Sequence, residues 1–149
     1  MADTLHIDVL NGPNTNLYGL DPSGPYGKLT LADIEERCRA KAQALGASVR
    51  FLQSSIEGEL IDWIHEARGK ADGIVINAGS LSYTSIGLMD ALASFGGPSF
   101  QVHVSNVFKR EPIRHYSPIS QAVTGCLIGL GPKGYEFAVE AIVRTLRDD

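Results

Sequence analysis

The strongest constraint in these 149 residues is an alternation. Short apolar runs of strand length, closed by Gly, Pro, Asn or Ser, take turns with segments whose apolar residues recur every three or four positions. Runs of the first kind read as strands and the second as helices. Residues 5–10 form the first run and end in Asn-Gly-Pro. Leu31, Ile34, Cys38, Ala42 and Leu45 then recur at helical spacing. Thr30 with Asp33 is a variant capping box at the start of that helix, and Gly46 ends it. Residues 48–53 read as a second strand. Ser54 with Glu57 predicts a second capping box, for a helix with Leu60, Ile64 and Ala67 inward and an end near Gly69. Residues 73–77 are almost wholly apolar, as a strand covered on both faces must be. A helix over about 85–95, strands at 98–104 and 122–128, and a helix over 134–147 complete the chain.

Strand following helix throughout requires a parallel sheet with helices on both faces, a three-layer α/β sandwich. Right-handed crossovers favour the five-stranded flavodoxin-like order 2-1-3-4-5. The length fits one domain, residues 1–149, with one buried core. A formal charge of -4 argues against nucleic acid, which calls for a basic face. No run approaches membrane-spanning length, and Met1 to Thr4 lead into the first strand without a signal-peptide pattern, so the expected location is the cytoplasm. Cys38 and Cys126 both read as small buried hydrophobes, and nothing suggests a metal site or disulfide framework.

Two connections are long for such a domain, residues 11–29 and 105–121, and long loops are usually functional. The first reads as a functional lid or as a disordered segment. In an open α/β sheet, ligands bind beyond the carboxyl ends of the strands where strand order reverses. Segments 11–26, 77–85 and 103–114 converge there.

His103 ends the fourth strand and points at that crevice. It reads either as a general acid or base or as a ring satisfying a loop carbonyl. His6 and His65 read as structural, and His115 is open. Tyr26, between Gly-Pro and Gly, is a packing anchor or a catalytic hydroxyl. Lys109, Arg110, Glu111 and Arg114 form a charged patch, either a solvated face or a seat for an anionic or polyol ligand. Gly129-x-Gly131-x-x-Gly134 has the form of a dinucleotide fingerprint, but no later strand can carry a ribose-binding acid, so a tight turn is expected.

Taken together, these residues resemble a type II 3-dehydroquinate dehydratase over nearly the whole chain. The most specific pieces are Asn11-Gly-Pro-Asn14, Tyr26-Gly27, Gln53-Ser54 with Glu57 through His65, Ile76-Asn-Ala-Gly79, Thr84-Ser85, Asp90-Ala91, Val102-His-Val-Ser-Asn106, Arg110-Glu111, and Gly125 through Gly131. The resemblance implies dehydration of 3-dehydroquinate to 3-dehydroshikimate through an enolate, without metal or organic cofactor. By position it makes Tyr26 the base, His103 the acid for the departing hydroxyl, and Asn14 a holder of the water that stabilises the enolate. Asn77, Ser105 and the backbone at Val104 would hold the carboxylate and ring oxygens, and Arg114 the hydroxyls. Asp90 would reach a neighbouring subunit's site, because the family assembles as trimers and then dodecamers. The implied partners are a small cyclic hydroxy acid and further copies of this chain.

Three positions depart from the family pattern. Asp21 stands where the lid carries an arginine, Tyr83 where Thr-Ser follows a histidine, and Gln101 where a glutamate precedes the acid histidine by two residues. A tyrosine with a pKa of about 10 is only about 0.1% ionised at pH 7. A nearby cation lowers such a pKa by roughly 1–3 units, so the missing arginine matters; Lys28 and Arg110 are the candidates to replace it. Asp21 near the base would act in the wrong direction. Gln101 and His103 share a face of their strand, and the amide oxygen of Gln101 would orient the ring. Tyr83 would change the pocket shape. These departures leave open a related lyase or isomerase on another cyclic hydroxy acid, or a catalytically impaired homologue.

Overall fold

Five parallel strands lie in the order β2-β1-β3-β4-β5 in a computed structural model that describes residues 3–147. They are β1 (Leu5–Asn11), β2 (Ala47–Gln53), β3 (Gly73–Asn77), β4 (Ser99–His103) and β5 (Gly125–Ile128). The helices are α1 (Leu31–Ala44), α2 (Glu57–Ala67), α3 (Ile86–Phe95) and α4 (Gly134–Leu146). The strand order expected from the alternation is the one observed.

Side chains alternate across the sheet, and this divides the core in two. Ile7, Val9 and Val75 pack with Ile34, Cys38, Val139 and Ile142 under α1 and α4. Leu10, Ile74 and Ile76 pack with Leu60, Ile64, Leu88 and Leu92 under α2 and α3. A central strand buried on both faces has no room for polar alternation, hence the apolar 73–77 run.

Local signals for α1 work as the sequence suggests. The Thr30 hydroxyl accepts from the Asp33 N–H, and the Asp33 carboxylate accepts from the Thr30 N–H. The second capping box does not form. Ile56 is the N-cap of α2, with no side-chain cap. Ser54 sits two residues before the cap; its hydroxyl accepts from the Ile56 N–H and donates to Glu59, so Glu57 has no cap partner to reach back to.

Both fourth and fifth strands are shorter than expected. Residues 122–124 lie outside β5 because a 3-10 turn, Pro118–Gln121, delivers the chain late to the sheet edge. The long loops contain further 3-10 turns: Thr15–Leu17, Gly79–Tyr83, Val107–Lys109 and Pro112–Arg114. Cys38 is buried, but Cys126 is exposed, because β5 is an edge strand.

The glycine string after β5 is a turn that ties the loop to β4. Gly129 and Gly131 have φ of 83° and 76°, a region open to glycine at little cost. Their N–H groups donate to the carbonyls of His103 and Val104, and the Gly134 N–H donates to the Gly131 carbonyl. Those donors are spent on the protein, so none is left to cradle a phosphate. Among the described residues, no helix is long and apolar enough to cross a membrane.

Candidate active site

Register sets the floor of the site. Asn11 of β1 lies beside Gln53 of β2 and Asn77 of β3, so three amides share one row at the carboxyl ends. Gly12 follows at once, and its N–H donates to the Asn77 carbonyl. A Cβ at Gly12 would collide with the Ala78 backbone. This close approach brings the loops after β1 and β3 together.

Above the floor is a cavity of about 130 Å³. Tyr26 and Asn14 line it from the loop after β1, Asn77 and Tyr83 from β3 and its 3-10 turn, and His103, Val104, Ser105, Arg110 and Arg114 from β4 and the loop beyond. Three segments far apart in the chain therefore meet where strand order reverses, and nearly all the expected site residues meet with them. Asp90 is the exception: it is exposed on α3 and does not line this cavity. His6 pairs instead with Ser48, and His115 with the Arg110 carbonyl.

Tyr26 has a cation. Arg110 Nη1 lies 2.9 Å from its hydroxyl, and the guanidinium carbon is 5.4 Å from the ring centroid. The same Nη1 also donates to Ser105 at 3.3 Å. Lys28 does not line the cavity. Asp21 is occupied within its own loop, where Oδ1 accepts from the Ser23 N–H and hydroxyl at 3.2 and 2.7 Å. Its carboxylate thus closes a local turn.

Asn14 is the only described non-glycine residue with positive φ, 69°. Asparagine tolerates this left-handed conformation better than most residues, and strained backbone tends to collect at functional sites. Asn77 is more constrained than a simple ligand would be. Its Nδ2 donates to the hydroxyls of Tyr18 and Tyr135 at 2.7 and 2.8 Å, and its Oδ1 accepts from the Gly79 N–H. Both amide hydrogens are spent, so only an acceptor remains for a ligand. The Tyr135 hydroxyl donates onward to Asn11, whose amide reaches the Leu52 carbonyl.

Sequence reasoning missed this buried chain. The Tyr18 ring also packs at a 32° tilt with its centroid 4.8 Å from that of Tyr26, and burial pushes its pKa up to about 12. Tyr135 is fully buried and its pKa is raised well above the ordinary value by desolvation. Both are therefore neutral supports. A tyrosine in the first turn of an otherwise apolar helix face was the one available signal.

His103 is 7% exposed. Burial pushes its pKa down to about 4, and the charges of Arg110 and Arg114 push the same way. Gln101 does reach it, but with the other end of its amide: Nε2 of Gln101 lies 2.6 Å from Nε2 of His103. Tyr83 stacks against the histidine ring at 5.9 Å and 18°, with Arg114 6.0 Å from the tyrosine centroid. Burial raises the Tyr83 pKa, so it too stays a neutral wall. Arg114 Nε is held by Glu111 at 3.0 Å.

Comparison with known proteins agrees with this geometry. Residues 5–143 match the family model described as Dehydroquinase class II. A 3-dehydroquinate dehydratase of Azorhizobium caulinodans is 48% identical over 145 residues, 97% of each chain. The 3-dehydroquinate dehydratase 2 of Agrobacterium fabrum is 50% identical over 135 residues, 91% of this chain and 92% of that one. Among solved structures, the type II dehydroquinase of Propionibacterium acnes superposes with a TM-score of 0.90 at 36% identity, covering 96% of this chain and 99% of its own.

Proposed function

This chain belongs to the class II dehydroquinase family, and from that premise we propose that its cavity removes water from 3-dehydroquinate with Tyr26 as base and His103 as acid. The observation that carries the reading is the 2.9 Å contact between Arg110 and the Tyr26 hydroxyl, inside a cavity that His103 also lines. The guanidinium is a charged donor fixed on the phenolic oxygen, where negative charge develops as a base acts. Arg110 thus takes the place of the lid arginine that Asp21 does not supply.

In the forward step the Tyr26 phenolate takes a proton beside the ketone. The electron pair moves onto the ketone oxygen as an enolate, stabilised through a water held by Asn14. The enolate then collapses, the C–O bond breaks, and the departing hydroxyl takes a proton from His103 and leaves as water. Such acid–base assistance contributes roughly 10²–10⁴-fold to rate. Ser105 and the Val104 backbone hold the substrate carboxylate, Arg114 holds hydroxyls, and Asn77 accepts from one of them through Oδ1. Tyr83, packed against His103, sets the width of the pocket on the acid side.

Asp90, exposed on α3, completes a neighbouring subunit's site in a trimer-based dodecamer. The chain acts as a single domain of residues 1–149 with a lid over about 19–28, in the cytoplasm. Replacing Tyr26 by Phe tests the base assignment. Steady-state turnover of 3-dehydroquinate falls to background while circular dichroism and assembly size stay as in the parent, and Arg110→Met, which removes one charged donor, loses about a hundred- to a thousandfold. A fully active Tyr26→Phe enzyme would remove Tyr26 from the mechanism.

A further inference from the structure

The buried amide of Gln101 has an orientation that can be worked out from its neighbours. Ser117 has one hydroxyl proton, and it is donated to the Ser82 carbonyl at 2.9 Å. A carbonyl can only accept, so toward any other group Ser117 can only accept as well. The Gln101 atom 3.2 Å from the Ser117 oxygen must therefore be the amide nitrogen. On the other side, the Ser120 hydroxyl donates to Gln101 Oε1 at 2.6 Å, and the Cys126 thiol approaches the same oxygen at 3.5 Å. Both neighbours agree, and Gln101 is 0% exposed, so no bulk water is at hand to exchange roles with them.

The nitrogen pinned by Ser117 is the one that faces His103 Nε2 at 2.6 Å. Two N–H groups cannot face each other in a hydrogen bond. From this geometry we infer that Gln101, oriented by Ser117 and Ser120, is a positioning residue that fixes resting His103 as the tautomer protonated on Nδ1, with Nε2 a bare acceptor.

This has a consequence for the acid step, which rests on His103 acting as the acid; the tautomer itself does not. A neutral ring that gave up its Nδ1 proton would become an imidazolate, so the donor has to be the imidazolium. Protonating Nε2, with a proton taken up from solvent, requires Gln101 to turn its amide over and present Oε1. Ser117 must then give up the Ser82 carbonyl or face Oε1 with two acceptors opposed, and Ser120 must change from donor to acceptor. After turnover of the amide, the Nδ1–H bond breaks, the new O–H bond forms on the departing hydroxyl, and the ring is left neutral with its remaining proton on Nε2, accepted by Gln101 Oε1. A carboxylate at position 101 would accept that proton without any rearrangement. The charged and titratable groups around the ring do not provide such an acceptor: Arg110 and Arg114 carry positive charge, Tyr83 stacks on the ring face, and Cys126 reaches only Gln101.

The test is nitrogen NMR of the protein labelled with ¹⁵N-histidine, near neutral pH and without substrate, with the His103 signals assigned by their loss in His103→Asn. Protonated and bare ring nitrogens resonate far apart. The parent protein shows Nδ1 protonated and Nε2 bare. Gln101→Glu moves the ring proton onto Nε2 or protonates both nitrogens, and Ser117→Ala, which frees the amide to turn, gives a mixture of tautomers. In kinetics, Gln101→Glu raises kcat by about tenfold or more with little change in KM. A parent ring protonated on Nε2, or an unchanged tautomer in both variants, would overturn the inference; with an active parent, a Gln101→Glu kcat no higher than the parent's would overturn its consequence for the acid step. Absence of turnover in every protein would count against the dehydratase reading and leave the resting tautomer standing.

Discussion

Arg110 and Tyr26 are 84 residues apart in the chain and 2.9 Å apart in the fold. Their pairing supplies the cation that position 21 lacks. The sequence named Arg110 as one of two candidates, but loop residues carry no periodicity from which a contact can be read. For the same reason Tyr18 and Tyr135 escaped notice: each is ordinary locally and meaningful only after β1, β3 and α4 pack. His103 was legible, because the last residue of a strand next to the switch point has few places to point. Its burial adds a pH dependence. With a folded pKa near 4 against an ordinary value of 6.5, the unfolded chain takes up the proton first as pH falls. The stability contribution is therefore full above about pH 6.5 and is lost on acidification toward about pH 4, by about 3 kcal/mol at 1.36 kcal/mol per unit. Denaturant titrations of the parent and of His103→Gln, compared at several pH values, should show this slope in their difference. A difference that stays flat from neutral to pH 4 would mean that His103 protonates as readily in the fold as outside it.

At the scale of elements, the sheet was legible because two periods, near two and near 3.6, leave clear marks in sequence. The ends of the elements were less so. The Ser54–Glu57 spacing satisfies the capping pattern, yet the chain leaves β2 extended for longer and the helix begins at Glu57 itself. The 3-10 turns that shape the 105–121 loop need only one or two hydrogen bonds each and leave no repeating pattern. Gly12 is an element-scale constraint, since it lets the loop after β1 lie against Ala78 and sets the depth of the cavity. Substituting Gly12→Ala forces these loops apart. Overpacking of this kind costs about 1–3 kcal/mol, which is a fall in Tm of about 2–4 °C for each kcal/mol in a domain of this size. Turnover should fall with it. An alanine variant with unchanged Tm and kcat would show that the loops separate freely.

For the whole molecule, the question is how many chains make one site. The cavity holds Tyr26, His103 and two arginines from one chain, while Asp90 lies exposed on α3, outside it. If Asp90 serves a neighbour, Tyr26→Phe and Asp90→Asn chains should rescue each other. Mixed, unfolded and refolded together, the two inactive proteins form some sites with both residues native, and activity returns to a substantial fraction of the parent's. No recovery in co-assembled oligomers would place Asp90 outside the site. The three departures from the family pattern have different fates in the fold: Asp21 closes a turn in its own loop, Tyr83 stacks on His103, and Gln101 turns its amide nitrogen to that ring. None of them removes Tyr26, Arg110 or His103 from the cavity. The most direct measurement is therefore the simplest. Purified parent protein is mixed with 3-dehydroquinate, and the ultraviolet absorbance of the conjugated enone product is followed. A steady rise that disappears in Tyr26→Phe is the expected result. No rise from a folded, assembled protein would contradict the account.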